Sequence, residues 1–167
     1  MTSTLAYLLG ALFPIFMVVT FIIGIRQSDL SEGKKQRLSN ILILSVSLWT
    51  ILIWSLAAIG VFEYQEGDIA PRFLIGLIVP VVIGLFLFKS STYKTILEYT
   101  PQYMVVGIQT LRILGISFLI IAMDGSGPQA LASAGYGDLV TGVLALIGGV
   151  MLLLGSNNAK WVVWAFN

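Results

Sequence analysis

The sequence of 167 residues contains neither cysteine nor histidine. Without cysteine, the chain cannot form disulfides, thiolate metal sites or iron–sulfur ligation, and it has no cysteine nucleophile. Without histidine, it cannot bind haem through two histidines, form a histidine zinc site or use the usual Ser–His triad. We therefore expect no metal site and no cofactor in this protein.

Charged residues are also scarce: they form 10% of the chain, against 57% hydrophobic residues, and the mean hydropathy is +0.96. A soluble domain carries about 25% charged residues, because its surface faces water. Nine Lys and Arg with eight Asp and Glu cannot coat such a surface. The excess apolar residues must face lipid, which excludes a soluble enzyme, a nucleic-acid binder and a disordered tail.

Five apolar stretches are long enough to cross a bilayer, which takes about 20 helical residues. They cover about residues 4–25, 40–62, 72–88, 102–123 and 128–154. A sixth apolar piece, residues 161–167, is aromatic and too short to cross. The connecting loops are short, so the sequence predicts one all-α, polytopic transmembrane bundle over residues 1–167. The first stretch lacks the basic start of a signal peptide and is interpreted as a retained helix.

The basic residues indicate the orientation of this bundle, because cytoplasmic loops are enriched in Lys and Arg. Seven of the nine flank the spans on one side: Arg26, Lys34, Lys35, Arg37, Lys89, Lys94 and Lys160. The amino terminus is therefore expected outside, the basic loops in the cytoplasm, and the protein in the inner (plasma) membrane. The basic loop 26–39 could also attract anionic lipid headgroups, although a simple topology signal is the plainer interpretation.

Two ionisable residues lie well inside predicted spans, where charges are rare and costly. By the helical rise, Arg112 lies about 15 Å deep in the fourth span. Asp138 lies at a similar depth in the fifth span, which enters the membrane from the side on which the fourth span ends. The two helices are consecutive, so the side chains can meet as a buried ion pair. Gln109, three residues before Arg112, shares its helix face and could hydrogen-bond into the same site.

Glycines surround Asp138 and predict close helix packing. Gly135, Gly142 and Gly149 recur every seven residues on nearly one face, and Gly137 directly precedes Asp138. Small residues allow helix backbones to approach each other in membranes. We therefore predict that the fifth helix packs centrally through Gly135, Gly137, Gly142 and Gly149.

The Arg–Asp pair has three interpretations: a structural lock between two helices, a polar site for an ion or ligand, or a contact with a partner subunit. The string Gly135-Tyr136-Gly137-Asp138 also matches the short GxGD motif of intramembrane aspartyl proteases. That chemistry needs a second aspartate on a facing helix, and the other aspartates fall in predicted loops: Asp29, Asp68 and Asp124. The sequence therefore disfavours an enzyme.

The stretch 101–167 resembles a family of small, uncharacterised bacterial multi-pass membrane proteins. Its members carry Gln-x-x-Arg on one helix and Gly-x-Gly-Asp on the next. The resemblance implies that one recurrent site comprises Gln109, Arg112, Gly135, Gly137 and Asp138. In similar proteins the last residues belong to a sixth helix that continues, so either the chain is truncated at Asn167 or its last piece lies at the membrane interface.

These features lead to two functional hypotheses. The first is a non-catalytic membrane bundle that associates with itself or serves as an accessory subunit of a membrane complex. The alternative is a small transporter or channel-like protein with Gln109, Arg112 and Asp138 lining a polar site at the midplane. The expected partners are the lipid bilayer and other copies of the chain or other membrane subunits, and no nucleic acid.

Overall fold

A computed structural model describes residues 3–63, 75–125 and 129–166 of the chain. In these residues every regular element is a helix, which confirms the all-α class. The elements are α1 (Ser3–Gln27), α2 (Glu32–Ala58), α3 (Ile75–Leu87), α4 (Ser91–Tyr99), α5 (Gln102–Gln109), a 3₁₀ helix (Thr110–Gly115), α6 (Ile116–Met123), α7 (Ala130–Leu153) and α8 (Ala159–Phe166).

Three of the described helical stretches are long and apolar enough to cross a membrane. They are Glu32–Ala58, Gln102–Met123 and Leu131–Leu153, which match the second, fourth and fifth predicted spans. Shorter apolar helices, Leu12–Gln27 and Ile78–Leu87, occupy the places of the first and third. These two stay predictions as spans, as does the outside location of the amino terminus.

The helix that contains the second predicted span begins before residue 40, which corrects the prediction that residues 26–39 form a loop. The helix α2 starts at Glu32, with Ser31 as its N-cap residue, so most of the predicted loop is helical. Favourable contacts one turn apart extend the helix: Lys35 Nζ lies 2.9 Å from Glu32 Oε1, and the Gln36 amide donates to Asn40 Oδ1 at 2.9 Å.

The chain divides into two compact units, and each is described by itself. We call Val18–Thr100 the α2 unit, and Met1–Met17 with Pro101–Asn167 the α7 unit. The prediction of one domain over 1–167 stays a prediction.

In the α2 unit, the end of α1 packs against α4. A Cβ added to Gly24 would overlap Thr100 Oγ1 and lie 2.9 Å from the Ile96 carbonyl oxygen, so the two backbones are in contact. The Tyr93 ring packs edge-on against Phe88, with centroids 5.8 Å apart. Burial raises the pKa of the Tyr93 hydroxyl.

In contrast, α2 has no buried residue along its fully described length. Its exposed apolar side chains include Leu44, Leu48, Ile51 and Leu52. An apolar helix with no buried residue suits a lipid environment, because contact with water would make this surface unfavourable.

In the α7 unit, α7 packs antiparallel along the stretch formed by α5, the 3₁₀ helix and α6. Its amino-terminal Gly135 faces Leu119, whereas its carboxy-terminal Gly149 faces Tyr103. The fully or nearly buried apolar residues of this unit are Val106, Leu119, Ala122, Leu131, Ala145 and Ala159.

Glycines follow the carboxy-terminal ends of α2 and α7. Gly60 after α2 has φ of 77°, and Gly155 after α7 has φ of 69°. At each end, the residue after glycine donates its N–H to a carbonyl five residues earlier, Val61 to Leu56 at 3.0 Å and Ser156 to Met151 at 2.9 Å. This is the Schellman arrangement, in which glycine is favoured because it adopts the left-handed conformation without strain.

Candidate functional site

The centre of the fourth predicted span is not a regular α-helix. The six residues Thr110–Gly115 form a 3₁₀ helix between α5 and α6, with Arg112 inside it. Runs of 3₁₀ helix rarely exceed about four residues, because their hydrogen bonds are less favourable, and a mid-helix run often marks strain or a functional hinge. The sequence carries no proline here and did not predict this change of helix type.

Close contact between backbones accompanies the 3₁₀ turn. A Cβ added to Gly142 on α7 would lie 2.5 Å from the backbone nitrogen of Ile113 and 3.0 Å from the carbonyl carbon of Arg112. No side chain fits into this space. Gly142 therefore allows α7 to press directly on the backbone that carries Arg112.

Arg112 and Asp138 form the ion pair that the sequence predicts. Arg112 Nε lies 3.0 Å from Asp138 Oδ1, so the guanidinium and the carboxylate form an ion pair. The pair joins the 3₁₀ helix to α7, and Arg112 stands at the midpoint of the helical stretch Gln102–Met123.

Within its own unit the pair is partly exposed, and its burial at depth in a membrane stays a prediction. The side chain of Arg112 is 48% exposed and that of Asp138 is 26% exposed. The physical reason is the tight glycine contact, because helices whose backbones touch leave little room between them for a guanidinium group. Arg112 therefore lies at the edge of the helix interface and reaches Asp138 from outside.

Asp138 rests against a glycine that sequence reasoning did not assign to the site. A Cβ added to the buried Gly115 would overlap Asp138 Cβ and lie 3.2 Å from Asp138 Oδ2. Gly115 thus makes the space in which the carboxylate stands. The sequence signal that could have assigned Gly115 to the site was its position, three residues after Arg112 on a helix predicted to face Asp138.

Gln109 does not join the ion pair. It is exposed at the end of α5, and among the described residues its side chain makes no hydrogen bond to Arg112 or Asp138. The Arg112 guanidinium instead pairs with Asp138 on α7.

Three of the four predicted packing glycines lie at the helix interface. A Cβ added to Gly135 would lie 2.8 Å from Leu119 Cγ and 2.9 Å from the carbonyl oxygen of Gly115. Gly149 makes looser contact, with its added Cβ 3.6 Å from the Tyr103 carbonyl oxygen. Together with Gly142, these residues recur on the face of α7 that also carries Asp138.

Gly137 corrects this set, because it does not face the other helix. It is exposed, and an added Cβ would have no neighbour within 4 Å among the described residues. Two residues along an α-helix rotate the side-chain direction by about 200°, so Gly137 points away from the face that carries Gly135.

The site contains one carboxylate, that of Asp138, which is paired with the guanidinium of Arg112. In the described residues, no group of three or more His, Cys, Asp or Glu side chains could hold a metal ion. Asp29 follows α1 and Asp124 is the C-cap residue of α6, while Asp68 lies outside the described residues. Neither described aspartate lies beside Asp138 on a facing helix, as a shared-proton dyad would require. The absence of enzyme activity stays a prediction.

The fold and this site define a class: an all-helical protein with long apolar helices suited to a membrane and an Arg–Asp pair in the middle of one of them. The chain belongs to the family described as a domain of unknown function, DUF8737, whose model matches residues 70–167. The match includes α3 and α4 and so begins earlier than the resemblance over 101–167 indicated. No curated protein and no solved structure matches the chain significantly. The family description gives no activity.

Proposed function

We propose that the protein is a non-catalytic, multi-pass protein of a bacterial inner membrane. The proposed topology has five spans, an outside amino terminus and cytoplasmic basic residues. The three long apolar helices support a membrane location. The positions of Lys89, Lys94 and Lys160 support the orientation, since each lies near the end of an apolar helix. The exposed Trp161 and Trp164 on α8 suit the headgroup level.

In this proposal the bundle associates with copies of itself through the face around Arg112 and Asp138. The carrying observation is the 48% exposure of the Arg112 side chain at the middle of a membrane-length helix. A guanidinium that faces hydrocarbon costs about 2.5–3.5 kcal/mol at the midplane even on the most favourable scale. Polar or small side chains of a second copy would remove this cost by covering the guanidinium. The Arg–Asp pair has no net charge, so no counter-charge is needed.

The experiment compares the wild-type chain with the double variant Arg112→Leu/Asp138→Leu in lipid nanodiscs or bicelles. The double variant removes both charges together, so it keeps the fold but loses the polar contact between copies. We expect its self-association to weaken about threefold to tenfold, the range of interhelical hydrogen bonds in membranes. Each single variant leaves one unpaired charge and should lower the free energy of unfolding by about 2–3 kcal/mol.

The matched control removes another ion pair, through Glu32→Gln/Lys35→Gln, and should leave self-association unchanged. Energy transfer between labelled copies measures the association. A wild-type chain that stays monomeric at all lipid-to-protein ratios would contradict self-association. Identification of a stoichiometric subunit that co-purifies from the native membrane would then favour the accessory-subunit form of the proposal.

A transporter or channel-like function is the second candidate, and the 3₁₀ helix around Arg112 favours it. Transporter sites commonly lie where a spanning helix departs from regular geometry near the midplane. The Arg112–Asp138 pair is closed at 3.0 Å, so transport would require this pair to open. Proteoliposomes should then show a proton or solute flux that Asp138→Asn abolishes. Equal flux in wild type, Asp138→Asn and empty liposomes would rule out this function for the solutes assayed.

A further inference from the structure

A polar groove of about 440 Å³ lies in the α2 unit, between the end of α1 and the first turns of α2. One wall consists of Ile22 and Arg26, which are one helical turn apart on α1. The other wall is formed by α2 residues that recur every three or four positions, so they share one helix face: Glu32, Lys35, Gln36, Ser39, Asn40 and Ile43.

Polarity falls along this groove in one direction. Arg26, Glu32 and Lys35 lie at the ends of the two helices that flank the connection between α1 and α2. Ile22 and Ile43 lie further into the apolar helices. The rise of α2 separates Glu32 from Ile43 by about 16 Å. The groove therefore leads from a charged mouth, near the connection between the helices, to an apolar end at Ile22 and Ile43.

Neutral hydrogen-bonding side chains occupy the middle of the groove. The Gln36 amide donates to Asn40 Oδ1 at 2.9 Å, which fixes both amides against the wall. Ser39 lies on the same face and is half-buried. These groups suit the glycerol and ester oxygens of a lipid, which lie between its phosphate and its acyl chains.

The charge at the mouth is positive. Lys35 pairs with Glu32 at 2.9 Å, and the two cancel, although the Lys35 side chain is only 17% exposed while that of Glu32 is 89% exposed. Arg26 is exposed and has no ion-pair partner among the described residues. The mouth thus carries one uncompensated positive charge, and Arg26 can bind a phosphate through two N–H donors.

We propose that this groove binds one anionic phospholipid, with the phosphate on Arg26 and an acyl chain over Ile22 and Ile43. The order of charged, neutral polar and apolar walls matches the order of groups in that lipid. A topology signal alone would need the basic charges but no groove between helices. The proposal goes beyond the proposed assembly and depends only on the membrane location.

The test is native mass spectrometry of the full chain in detergent, titrated with phosphatidylglycerol or phosphatidylcholine of the same chain length. We expect phosphatidylglycerol to be retained more tightly. One basic residue near an anionic headgroup changes affinity about fivefold, so Arg26→Gln should weaken phosphatidylglycerol binding by about that factor. Ile43→Gln should weaken binding of both lipids, because the acyl contact is lost.

The matched control is Lys89→Gln, which removes an exposed positive charge outside the groove but in the same unit. It should leave retention unchanged. Equal retention of the two lipids, or an equal loss in Lys89→Gln and Arg26→Gln, would overturn the proposal. Competition by millimolar glycerol 3-phosphate would overturn it as well, because a soluble phosphate would then suffice. Circular dichroism confirms that each variant remains helical.

Discussion

Arg112 and Asp138 form a neutral pair at a point where each charge alone would be unfavourable. Their separation of 3.0 Å brings donor and acceptor together, and the half-exposed guanidinium still faces the surroundings of the unit. Such a pair is a poor source of stability by itself, because desolvation offsets much of the attraction. The pair joins the 3₁₀ helix to α7, and the proposed self-association would use it as a polar contact.

The glycines of α7 allow a direct prediction at the residue scale. Gly142→Ala places a Cβ 2.5 Å from the Ile113 backbone nitrogen, which cannot move independently of its helix. We expect a loss of about 1–3 kcal/mol in the free energy of unfolding, as for other overpacked positions. Titration of the purified protein with dodecyl sulfate, followed by circular dichroism, measures this loss.

Gly137→Ala is the matched control on the same helix. It adds the same methyl group where no described neighbour lies within 4 Å. It should be neutral or should stabilise the helix by about 0.5–1 kcal/mol, since alanine loses less backbone entropy than glycine. A loss in Gly137→Ala as large as that in Gly142→Ala would show that glycine flexibility, and not contact with the other helix, governs the effect.

The sequence predicted much of this site but not its form. Arg112 and Asp138 could be paired from their depth in consecutive helices, because depth follows from counting residues. The exposure of this pair and the absence of Gln109 from it could not be predicted, because both depend on how closely the two helices approach each other. Gly137 was assigned to the interface by its nearness to Asp138 in sequence, although helical rotation turns it away.

At the element scale, helix boundaries follow local chemistry more closely than hydropathy. The apolar run predicts a second span from residue 40, whereas the helix begins at Glu32, since Lys35 and Gln36 favour a helix as well as a loop. The α4 helix (Ser91–Tyr99) coincides with a mildly amphipathic stretch of the sequence, where Ser90 accepts the N–H of Tyr93 as its cap.

The end of α7 gives a prediction at this scale. Gly155 has φ of 69° and an added Cβ would meet no described atom within 4 Å, so only backbone strain opposes substitution. We expect Gly155→Ala to lower the melting temperature, with a cost of about 1–2 kcal/mol for the left-handed conformation. Gly155→Asn should cost less, because asparagine tolerates this conformation. Thermal unfolding in detergent distinguishes the two.

Gly33→Ala is the control for this pair. Gly33 also has open space around it, but it lies in the first turn of α2 and lacks a positive φ. Its replacement should not lower the melting temperature. Equal effects of Gly155→Ala and Gly155→Asn would contradict the strain argument.

At the scale of the whole molecule, apolar side chains are exposed along α2, α3 and α7, including Leu44, Phe86 and Leu146. An interior rich in small residues leaves large apolar residues on the outside, the reverse of a soluble protein. The same exposure on helices from both compact units indicates that lipid, or another apolar surface, surrounds each of them. The high apolar content of the sequence is therefore reflected in the apolar surface of the whole molecule.

The proposed topology predicts which residues a membrane-impermeant thiol reagent reaches. Since the chain has no cysteine, each introduced cysteine is unique. Met123→Cys, at the exposed end of α6, should be labelled in intact cells, whereas Lys89→Cys and Asn157→Cys should be labelled only after permeabilisation. The reverse pattern would show an inverted orientation, and labelling of Met123→Cys and Lys89→Cys from the same side would contradict the spans between them.

The sequence by itself determined that the protein is all-helical, that its long apolar helices suit a membrane, and that Arg112 and Asp138 are the charges to explain. These properties follow from composition and from residue counts along a helix, which are local and one-dimensional. Only the tertiary structure decided that Gly115, Gly135 and Gly142 bring two backbones into contact, and that the ion pair lies at the edge of this contact. The reason is steric: the space between two helices depends on the side chains of both, and no single stretch of sequence contains it.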